Sequence, residues 1–557
     1  MGLDIEVEVG GGFPNPFENK IATIQVGCPD GDVYLLTEDF ERLNTLLYNT
    51  SILKVIHNAG FDAKWIKRQL GINVSPIWDT FLMERILTAG TLLRCDLAST
   101  IWRRTEILIE KPEVKFRLGQ QLSERQLGYV EDDVKHLVGI YEVQKKGVKK
   151  EDLSKICGLE HDLLPVLIDM ELHGVQLDVN AWEEVVQGEL GLANEAAQTM
   201  CKGLNLPAHM DSLFSGFVPP INLDSWQQVL GVMERSGIRL PNARDATLEE
   251  YLKKHPNCIP VRAWRSYKEH KKLASWDYPK YINRVTSRVH TSYNQVGADT
   301  GRLSSRNPNL QNVPRKSRVR RIFIPSKGYV FVCADYSQQE MRVMAEVSGD
   351  KALRQVCRES DPHLANARVI FNDPGLEELV GEKRTVVKNT GFAMNYGAGP
   401  ETFAQSSGIS IGDAKVILHI LRSRYPDVFK WGDSQIKLLH RNGYVQTIWG
   451  RKRWFPEATE LNSKEIGKYS TLARNTPIQS SSADMMKRAM VRIAKALKDC
   501  DAHLVLSIHD EVVVEAREEQ AQEVARIVEN EMESAAGEMV KSIPCPAEAK
   551  VAPCWVK

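Results

Sequence analysis

The chain has 557 residues, of which 43% are hydrophobic and 26% are charged, and its formal net charge is zero. This composition is typical of a folded protein of several domains, and it excludes a disordered or collagen-like chain. The sequence shows no uninterrupted apolar run of membrane-spanning length, no signal peptide before its first motif, and no Cys-x-x-Cys pair among ten cysteines. We therefore expect a cytoplasmic protein in a reducing compartment.

Residues 1–142 have the pattern of an α/β unit. Acidic and apolar residues alternate from residue 2 to residue 7, which predicts a strand with Asp4 and Glu6 on one face. Two more strands are predicted at residues 21–26 and 33–36, joined by a turn at Pro29-Asp30-Gly31. Two further acids, Asp62 and Asp133, follow in helical segments. Tyr129 precedes Asp133 by one helical turn.

Each of these acids, taken alone, is more often solvated surface than a metal ligand. Together they resemble the DEDDy 3′–5′ exonucleases, which have a ribonuclease-H-like fold. The resemblance implies that two Mg²⁺ ions are bound by four acids and that Tyr129 orients the attacking water. It assigns the ligand role to Asp4, Glu6, Asp62 and Asp133. The implied chemistry is metal-assisted phosphodiester cleavage.

Residues 143–160 are rich in charge and predict a linker or an exposed helix. Residues 180–290 are mostly helical by pattern, and residues 222–225 mark a helix start. The cationic run at residues 265–272 is either a solvated helix face or, in a nucleic-acid enzyme, a surface that follows the phosphate backbone.

Two stretches predict carboxylates at the ends of neighbouring strands. An apolar run at residues 331–334 leads into Asp335 and then into amphipathic helical spacing. Residues 503–515 have the pattern of a hairpin whose tip carries His509, Asp510 and Glu511. A lone Asp after a strand is usually a helix cap. Carboxylates gathered at the ends of two strands favour a different interpretation. Mg²⁺ is bound by such carboxylate oxygens together with oxygens of substrate phosphates.

Five motifs in this half of the chain resemble family A DNA polymerases, the bacterial DNA polymerase I class. They occur in the family's order and span the chain from about residue 160 to its C-terminus. They are Thr300–Ser305 with 308–312, 335–340, the fingers-helix spacing of Arg384 to Gly397, 443–453, and 509–511. No segment resembles the 5′-nuclease domain of many bacterial relatives, which suggests a phage-type enzyme.

The resemblance implies a right-hand polymerase domain at residues 161–557, after the exonuclease domain at 1–142 and the linker at 143–160. The thumb would lie at about 180–290. The palm would comprise about 291–350 and 484–557, and the fingers about 351–483. The fold class is therefore multidomain, with α/β and α+β parts.

The fingers segment places cations and aromatics on one helical stripe, because residues four apart on a helix are only about 40° apart around it. An aromatic stripe is more often core, but a core face would not normally begin with Arg and Lys. The resemblance implies that Arg384 and Lys388 neutralise the triphosphate of the incoming nucleotide. It also implies that Phe392 packs on the sugar and base of this nucleotide and that Tyr396 lies beside the templating base. With Phe at 392, poor incorporation of dideoxynucleotides is expected.

The remaining assignments also come from the resemblance. Asp335 and Asp510, with the backbone carbonyl of Tyr336, would bind two Mg²⁺ ions, for which Mn²⁺ can substitute. Glu511 would be an auxiliary catalytic acid, and Glu340 would exclude the ribose 2′-hydroxyl. The expected DNA contacts are Arg302, Asn309, Gln311, Gln479 and His509. Primer-template DNA and dNTPs are the expected partners, with a monomeric enzyme and accessory replication factors as further expectations.

Four positions depart from the family pattern: Gln339, Gly391, Ala393 and Thr471. Gly391 is expected to loosen its helix by up to about 1 kcal/mol. A single-subunit RNA polymerase is a second enzyme hypothesis, against which Glu340 and the attached exonuclease both argue. A scaffold on a degenerate polymerase fold is the third, and the retained acids argue against it.

Overall fold

The computed structural model describes residues 1–8, 14–207, 209–211, 216–314, 318–379, 381–462 and 465–556. Within these ranges, the side chains of a few residues lie outside the description, including those of Phe392 and Tyr396. Among the described residues, no helix combines the length and the apolar composition needed to cross a membrane.

The N-terminal part is a five-stranded mixed sheet flanked by helices. Its elements are β1 (Gly2–Val7), β2 (Ile21–Gly27), β3 (Val33–Leu36), α1 (Asn44–Tyr48), β4 (Lys54–Ile56), α2 (Ala59–Leu70), β5 (Ile77–Asp79), α3 (Thr80–Leu87), α4 (Leu97–Thr105), α5 (Glu124–Lys135) and α6 (Leu137–Lys150). The strand order is β3-β2-β1-β4-β5. The first three strands are antiparallel, and β4 and β5 run parallel to β1.

The three strands predicted in this unit are confirmed, and so is the shared face of Asp4 and Glu6. Along β1 the apolar residues Leu3, Ile5 and Val7 are buried while the two acids are half-buried on the other face. The strand is held firmly at its start, because the Met1 amino group donates to Leu53 O at 3.0 Å.

The segment at 143–160, predicted as a linker or an exposed helix, is mostly helical, and several of its residues are buried. Its first part completes α6, and its second part opens α7 (Ser154–His173). Two apolar stripes run along α7 in helical spacing. Leu164 and Ile168 pack in the core of the N-terminal sheet, whereas Leu163 and Leu167 pack in the large C-terminal core. The helix α7 therefore packs in the cores of both halves of the chain and connects them.

The rest of the chain is mainly helical around a second sheet. Its elements are β6 (Val175–Leu177), α8 (Val179–Gly203), β7 (His209–Asp211), β8 (Gly216–Val218), α9 (Trp226–Arg235), α10 (Asp245–Lys254), α11 (Ile259–Ala274), β9 (Arg288–Val289), β10 (Ser292–Asn294), β11 (Ser304–Arg306), β12 (Phe323–Ile324), β13 (Tyr329–Tyr336), α12 (Gln339–Ser348), α13 (Lys351–Val356), α14 (Pro362–Ile370), α15 (Gly381–Tyr396), α16 (Pro400–Ser407), α17 (Ile411–Arg424), α18 (Pro426–Asn442), β14 (Tyr444–Gln446), β15 (Lys452–Trp454), α19 (Ser470–Ala496), β16 (Ala502–Ile508), β17 (Glu511–Arg517), α20 (Ala521–Gly537) and β18 (Ala547–Ala552).

The central sheet is antiparallel, in the order β16-β17-β13-β18. The predicted hairpin at 503–515 is confirmed as β16 and β17, and the predicted strand before Asp335 is confirmed as β13. Alternate residues of β13 face two different cores, with Val332 and Ala334 on the side of α19 and α20 and Phe331 and Cys333 on the other side. Burial on both faces explains why β13 is a continuous apolar run.

Two further boundaries can be compared with the sequence. The helix start at 222–225 is confirmed, because the Ser225 side chain caps α9 by accepting from Gln228 N. The division between fingers and palm at residue 484 falls inside α19, a continuous helix that begins at Ser470. The proposed limit at residue 484 is thus not marked by a break in secondary structure.

Candidate functional site

The first candidate site is an acid cluster on the N-terminal sheet. Asp4 and Glu6 project from β1, and Asp133 reaches them from α5. Single carboxylate oxygens of these three residues all lie within 4.8 Å of one another. Asp62, on α2, is buried beside them and accepts a hydrogen bond from Ile5 N at 3.0 Å. Four predicted acids therefore come together from three elements of the fold.

Burial makes this cluster electrostatically strained. It raises the pKa of Asp4 to about 7, although Lys111 and the hydrogen bond from Gln25 oppose the rise. Burial, with the charge of Asp4, raises the pKa of Glu6 to about 8. The pKa of Asp62 is raised for the same two reasons. Carboxylates that are held together against their own repulsion are stabilised by a cation between them.

The same cluster has an unused ligand atom. Asp133 Oδ2 is buried and has no hydrogen-bond partner. A buried carboxylate oxygen without a partner is costly, unless a cation or water completes it. The donor set is all oxygen, as Mg²⁺ prefers, so the residues present fit a divalent ion.

Two residues flank the cluster. Tyr129, one turn before Asp133 on α5, has its pKa raised to about 12 by burial and by the charges of Glu6 and Asp4. Lys111 makes an ion pair with Asp133, and its Nζ lies 4.1 Å from the centre of the Tyr129 ring. Lys111 was not singled out from the sequence, because it lies in an irregular segment without a recognisable pattern.

The second candidate site is a cavity of about 830 Å³ at the open end of the central sheet. Asp335 lies near the end of β13, and Asp510 lies in the turn between β16 and β17. The two are linked through the backbone, since Tyr336 N donates to Asp510 O at 3.2 Å. The cavity is lined by nine of the predicted residues: Arg302, Asp335, Tyr336, Glu340, Arg384, Lys388, Gln479, His509 and Asp510.

The cavity brings strand-end acids and helix-borne cations together. Asp335 and Asp510 belong to the sheet, whereas Arg384 and Lys388 belong to α15. This arrangement suits a ligand that carries both metal-bound oxygens and free phosphate charge. The predicted stripe also includes Phe392 and Tyr396, whose side chains lie outside the described residues. Gly391 lines the cavity within an unbroken α15.

Tyr336 contributes only its backbone to this site. Its side chain is buried, and its hydroxyl donates to Met532 O at 2.6 Å on the far side of the strand. This orientation agrees with the expectation that the residue offers a carbonyl oxygen. The turn that follows is held by Arg342, a buried residue missed in the sequence, which donates to Ser337 O and Pro544 O.

The structure places the Glu511 side chain, predicted to be an auxiliary catalytic acid, away from the cavity. Its side chain is buried, is ion-paired with Arg320 at 2.9 Å, and accepts from the indole nitrogen of Trp555 at 2.6 Å. It does not line the cavity. The physical reason is that the hairpin tip holds only two residues, so that Glu511 is already part of β17 and faces the core.

Two predicted DNA contacts are also placed elsewhere than the main cavity. Gln311 lines a small adjoining pocket with Arg302 and His509, and its amide donates to Ser507 O at 3.0 Å. Asn309 caps the short helix Leu310–Asn312 by accepting from Gln311 N. Neither residue lines the main cavity.

Some residues of the cavity were not singled out from the sequence. Glu548 and Lys550 enter it from β18, and Glu548 is paired directly with Asp335 across the sheet. Gln339, noted in the sequence only as a departure from the family pattern, also lines the cavity. It is buried, and its amide donates to Ser482 O at 3.1 Å, which explains how a polar side chain is accommodated at this position. An alternating strand pattern would have predicted that Glu548 and Lys550 share a face.

Comparisons with known proteins identify the family of this chain. A family model described as "DNA polymerase family A" matches residues 219–557, and one described as "3'-5' exonuclease" matches residues 5–147. The chain belongs to DNA polymerase family A and carries a 3′–5′ exonuclease domain, as predicted from the sequence.

Individual relatives bear the same names. The DNA polymerase I of Chloroflexus aurantiacus is 30% identical over 90% of this chain and 54% of its own length. The thermostable DNA polymerase I of Thermus aquaticus is 32% identical over 72% of this chain and 48% of its own length. The chain thus spans about half the length of these curated relatives.

A solved structure shares the fold. The POL domain of Pol1 from M. smegmatis, solved in complex with DNA primer-template and dNTP, aligns with a TM-score of 0.85 at 23% identity. The alignment covers 100% of this chain and 95% of that chain. The predicted fold class, an exonuclease domain followed by a polymerase domain, is confirmed.

Proposed function

We propose that this chain is a template-directed DNA polymerase that extends a primer 3′ end with deoxynucleotides and proofreads with its 3′–5′ exonuclease. The observation that carries the proposal is the 830 Å³ cavity, in which strand-end acids face a helix that bears Arg384 and Lys388. Family membership supports it, and so does the shared fold of the M. smegmatis POL domain, which was solved with DNA primer-template and dNTP bound.

We assign two divalent ions to the polymerase cavity, held by Asp335, Asp510 and the Tyr336 carbonyl. Mg²⁺ is the expected ion, with Mn²⁺ as a substitute. When bound, such ions activate the primer 3′-hydroxyl and neutralise charge on the phosphates. The chain's own groups do the positioning. Arg384 and Lys388 pair with the triphosphate oxygens as charge-assisted donors.

Around the metal ligands, the other lining residues select and align the substrates. Glu340 occupies the space that a ribose 2′-hydroxyl would need, so that dNTPs are preferred. Arg302, His509 and Gln479 contact the primer terminus and the minor groove, where every base pair presents an acceptor. Gln311 contributes from the adjoining pocket. Asn309 acts indirectly, since it holds Gln311 in place.

At the acid cluster, Asp4, Glu6, Asp62 and Asp133 would hold two further divalent ions. These ions supply an activated water and stabilise the leaving oxygen when a nucleotide is removed. Tyr129 donates its hydroxyl proton to orient that water, and its raised pKa keeps it a donor at neutral pH.

We further propose the domain roles given by the resemblance, with two changes from the sequence-based limits. The exonuclease domain ends in α6, and α7 connects it directly to the polymerase part. The helices α8 to α11 form the thumb, α13 to α18 the fingers, and the central sheet with α12, α19 and α20 the palm. The enzyme is proposed to be a monomer that works with accessory replication factors.

The proposal is tested with a labelled primer on a DNA template, with and without a mismatched 3′ nucleotide. Added dNTPs and Mg²⁺ should extend the matched primer to the template end. The mismatched primer should first be shortened and then extended. A protein that binds the primer but extends neither substrate with Mg²⁺ or Mn²⁺ would contradict the proposal.

A further inference from the structure

Lys111 contacts the acid cluster directly, and the proposed exonuclease mechanism gives it no role. It lies between α4 and α5, in a segment that is anchored by a bridge between Glu8 and Phe116. Phe116 is almost fully buried, so this part of the segment has a fixed position beside β1. Its neighbour Lys115 is exposed to solvent.

The ammonium of Lys111 lies at the edge of the acid cluster, where a positive charge offsets the repulsion between the carboxylates. It pairs with Asp133 Oδ1, and the face of Tyr129 covers it at 4.1 Å. Asp4 and Glu6 lie close enough for their charges to act on it. The Lys111 side chain is only 22% exposed, so that this pair is weakly screened by water.

One ammonium cannot satisfy this cluster. Three carboxylates meet within 4.8 Å, and the second oxygen of Asp133 remains buried without a partner. A divalent ion that binds Asp133 must therefore either share this residue with Lys111 or displace it. Like charges within a few ångströms repel strongly at low dielectric, which favours displacement.

We propose that Lys111 is the resident counter-ion of the exonuclease acid cluster and competes with the divalent ion for Asp133. It keeps the acids together in the metal-free protein, and it raises the Mg²⁺ concentration at which this site fills. Lys111 does not line the polymerase cavity and has no such effect there. The inference rests on the proposed exonuclease function of this cluster.

The test measures divalent-ion binding directly, in the full chain without DNA. A background with Asp335→Asn and Asp510→Asn removes the ligands of the polymerase cavity, and free Mn²⁺ is followed by its electron paramagnetic resonance signal. Lys111→Met in this background should tighten Mn²⁺ binding by about fivefold or more, equivalent to about 1 kcal/mol. Lys111→Arg should stay within about twofold of the background.

The matched control is Lys115→Met, which removes an exposed lysine from the same segment and should leave Mn²⁺ affinity unchanged. Circular dichroism and thermal melting establish that each variant is folded. If Lys111→Met binds Mn²⁺ with unchanged or weaker affinity, the counter-ion role is wrong. If the background protein binds no Mn²⁺ and Asp4→Ala changes nothing, the metal site itself is wrong, which identifies a failure of the proposed function.

Discussion

Arg302 Nη2 donates to Glu340 Oε1 at 2.7 Å across the wall of the polymerase cavity. The contact joins the proposed minor-groove reader to the proposed 2′-hydroxyl block. Both side chains are about one-third exposed, so the pair adds little to stability. Its main effect is to hold two long side chains in one orientation beside the substrate.

Removing Glu340 should relax sugar selection. Glu340→Ala opens the space beside the sugar and releases Arg302, so that discrimination between dNTPs and rNTPs should fall by about tenfold or more, about 1.4 kcal/mol. Single-nucleotide insertion kinetics with matched dNTP and rNTP measure this ratio. Glu340→Gln, which keeps the volume, should retain most of the discrimination. Equal discrimination in wild type and Glu340→Ala would refute the assignment.

Asp510 and Glu511 are neighbours in sequence, yet their substitutions should differ in kind. Glu511→Gln leaves Arg320 buried without its counter-charge, and loss of one partner of a buried pair costs about 3–5 kcal/mol. We expect a clear fall in Tm with extension activity retained in the folded fraction. Asp510→Asn should leave Tm nearly unchanged and reduce the extension rate by about 10³-fold.

Thermal melting and primer extension on the same preparations distinguish the two residues. A Glu511→Gln protein with wild-type Tm and no extension would restore Glu511 to a catalytic role. The structural role assigned to it here would then be incorrect.

The elements that carry the polymerase acids could be predicted because their signals are local. The apolar run before Asp335 and the alternation in 503–515 are each set by burial of one strand. The role of α7 could not be predicted, since its two apolar stripes face two cores built from distant segments. The partners of Glu511, Arg320 and Trp555, are likewise brought to it only by the fold.

At the acid cluster the four acids and Tyr129 were predicted from the resemblance to the DEDDy exonucleases, because each acid taken alone gives no signal of a metal site. The sequence did not predict Lys111, because an irregular segment has no periodicity from which the direction of a side chain can be inferred. The contribution of β18 to the polymerase cavity was missed for another reason. Glu548 becomes informative only once it is known to pair with Asp335.

The groove between α9 and α11 should contribute to DNA binding through charge alone. Lys271 and Lys272 line it beside Trp226 in a space of about 470 Å³. Replacement of both lysines by Ala should weaken binding to any primer-template and reduce the slope of log K against log salt by up to about 2. Fluorescence anisotropy at several salt concentrations measures the slope.

The matched control for the groove is the double substitution of Lys149 and Lys150 by Ala on α6, where both lysines are exposed outside the groove. It should leave the slope close to that of wild type. A similar loss of slope in both double variants would show that the groove has no special role.

The ionisation of Glu515 should make the free energy of unfolding depend on pH. Burial opposes its ionisation, but hydrogen bonds from His173, Arg288 and Ser326 N outweigh it and lower the pKa of Glu515 to about 2. Because this pKa is lower than the ordinary 4.5, the stabilisation is present above pH 4.5 and disappears as pH falls towards 2. The full effect is about 3 kcal/mol.

Thermal melting of wild type and Glu515→Gln should therefore differ most at pH 7. The difference in the free energy of unfolding between wild type and Glu515→Gln should be about 2 kcal/mol smaller at pH 3 than at pH 7. Glu519→Gln, which changes an exposed glutamate near the end of the same hairpin, should show no such dependence. A gap for Glu515→Gln that is the same at both pH values would contradict the ionised state proposed for Glu515.

Two separate acid sites in one chain are proposed to carry out the synthesis and the removal of DNA. Gel analysis of one labelled primer-template with two variants tests this claim most directly. Asp335→Asn should lose extension and still shorten the primer from its 3′ end, while Asp4→Ala with Glu6→Ala should lose shortening and still extend. Extension by Asp335→Asn at the wild-type rate, or undiminished shortening by the double variant, would contradict the claim.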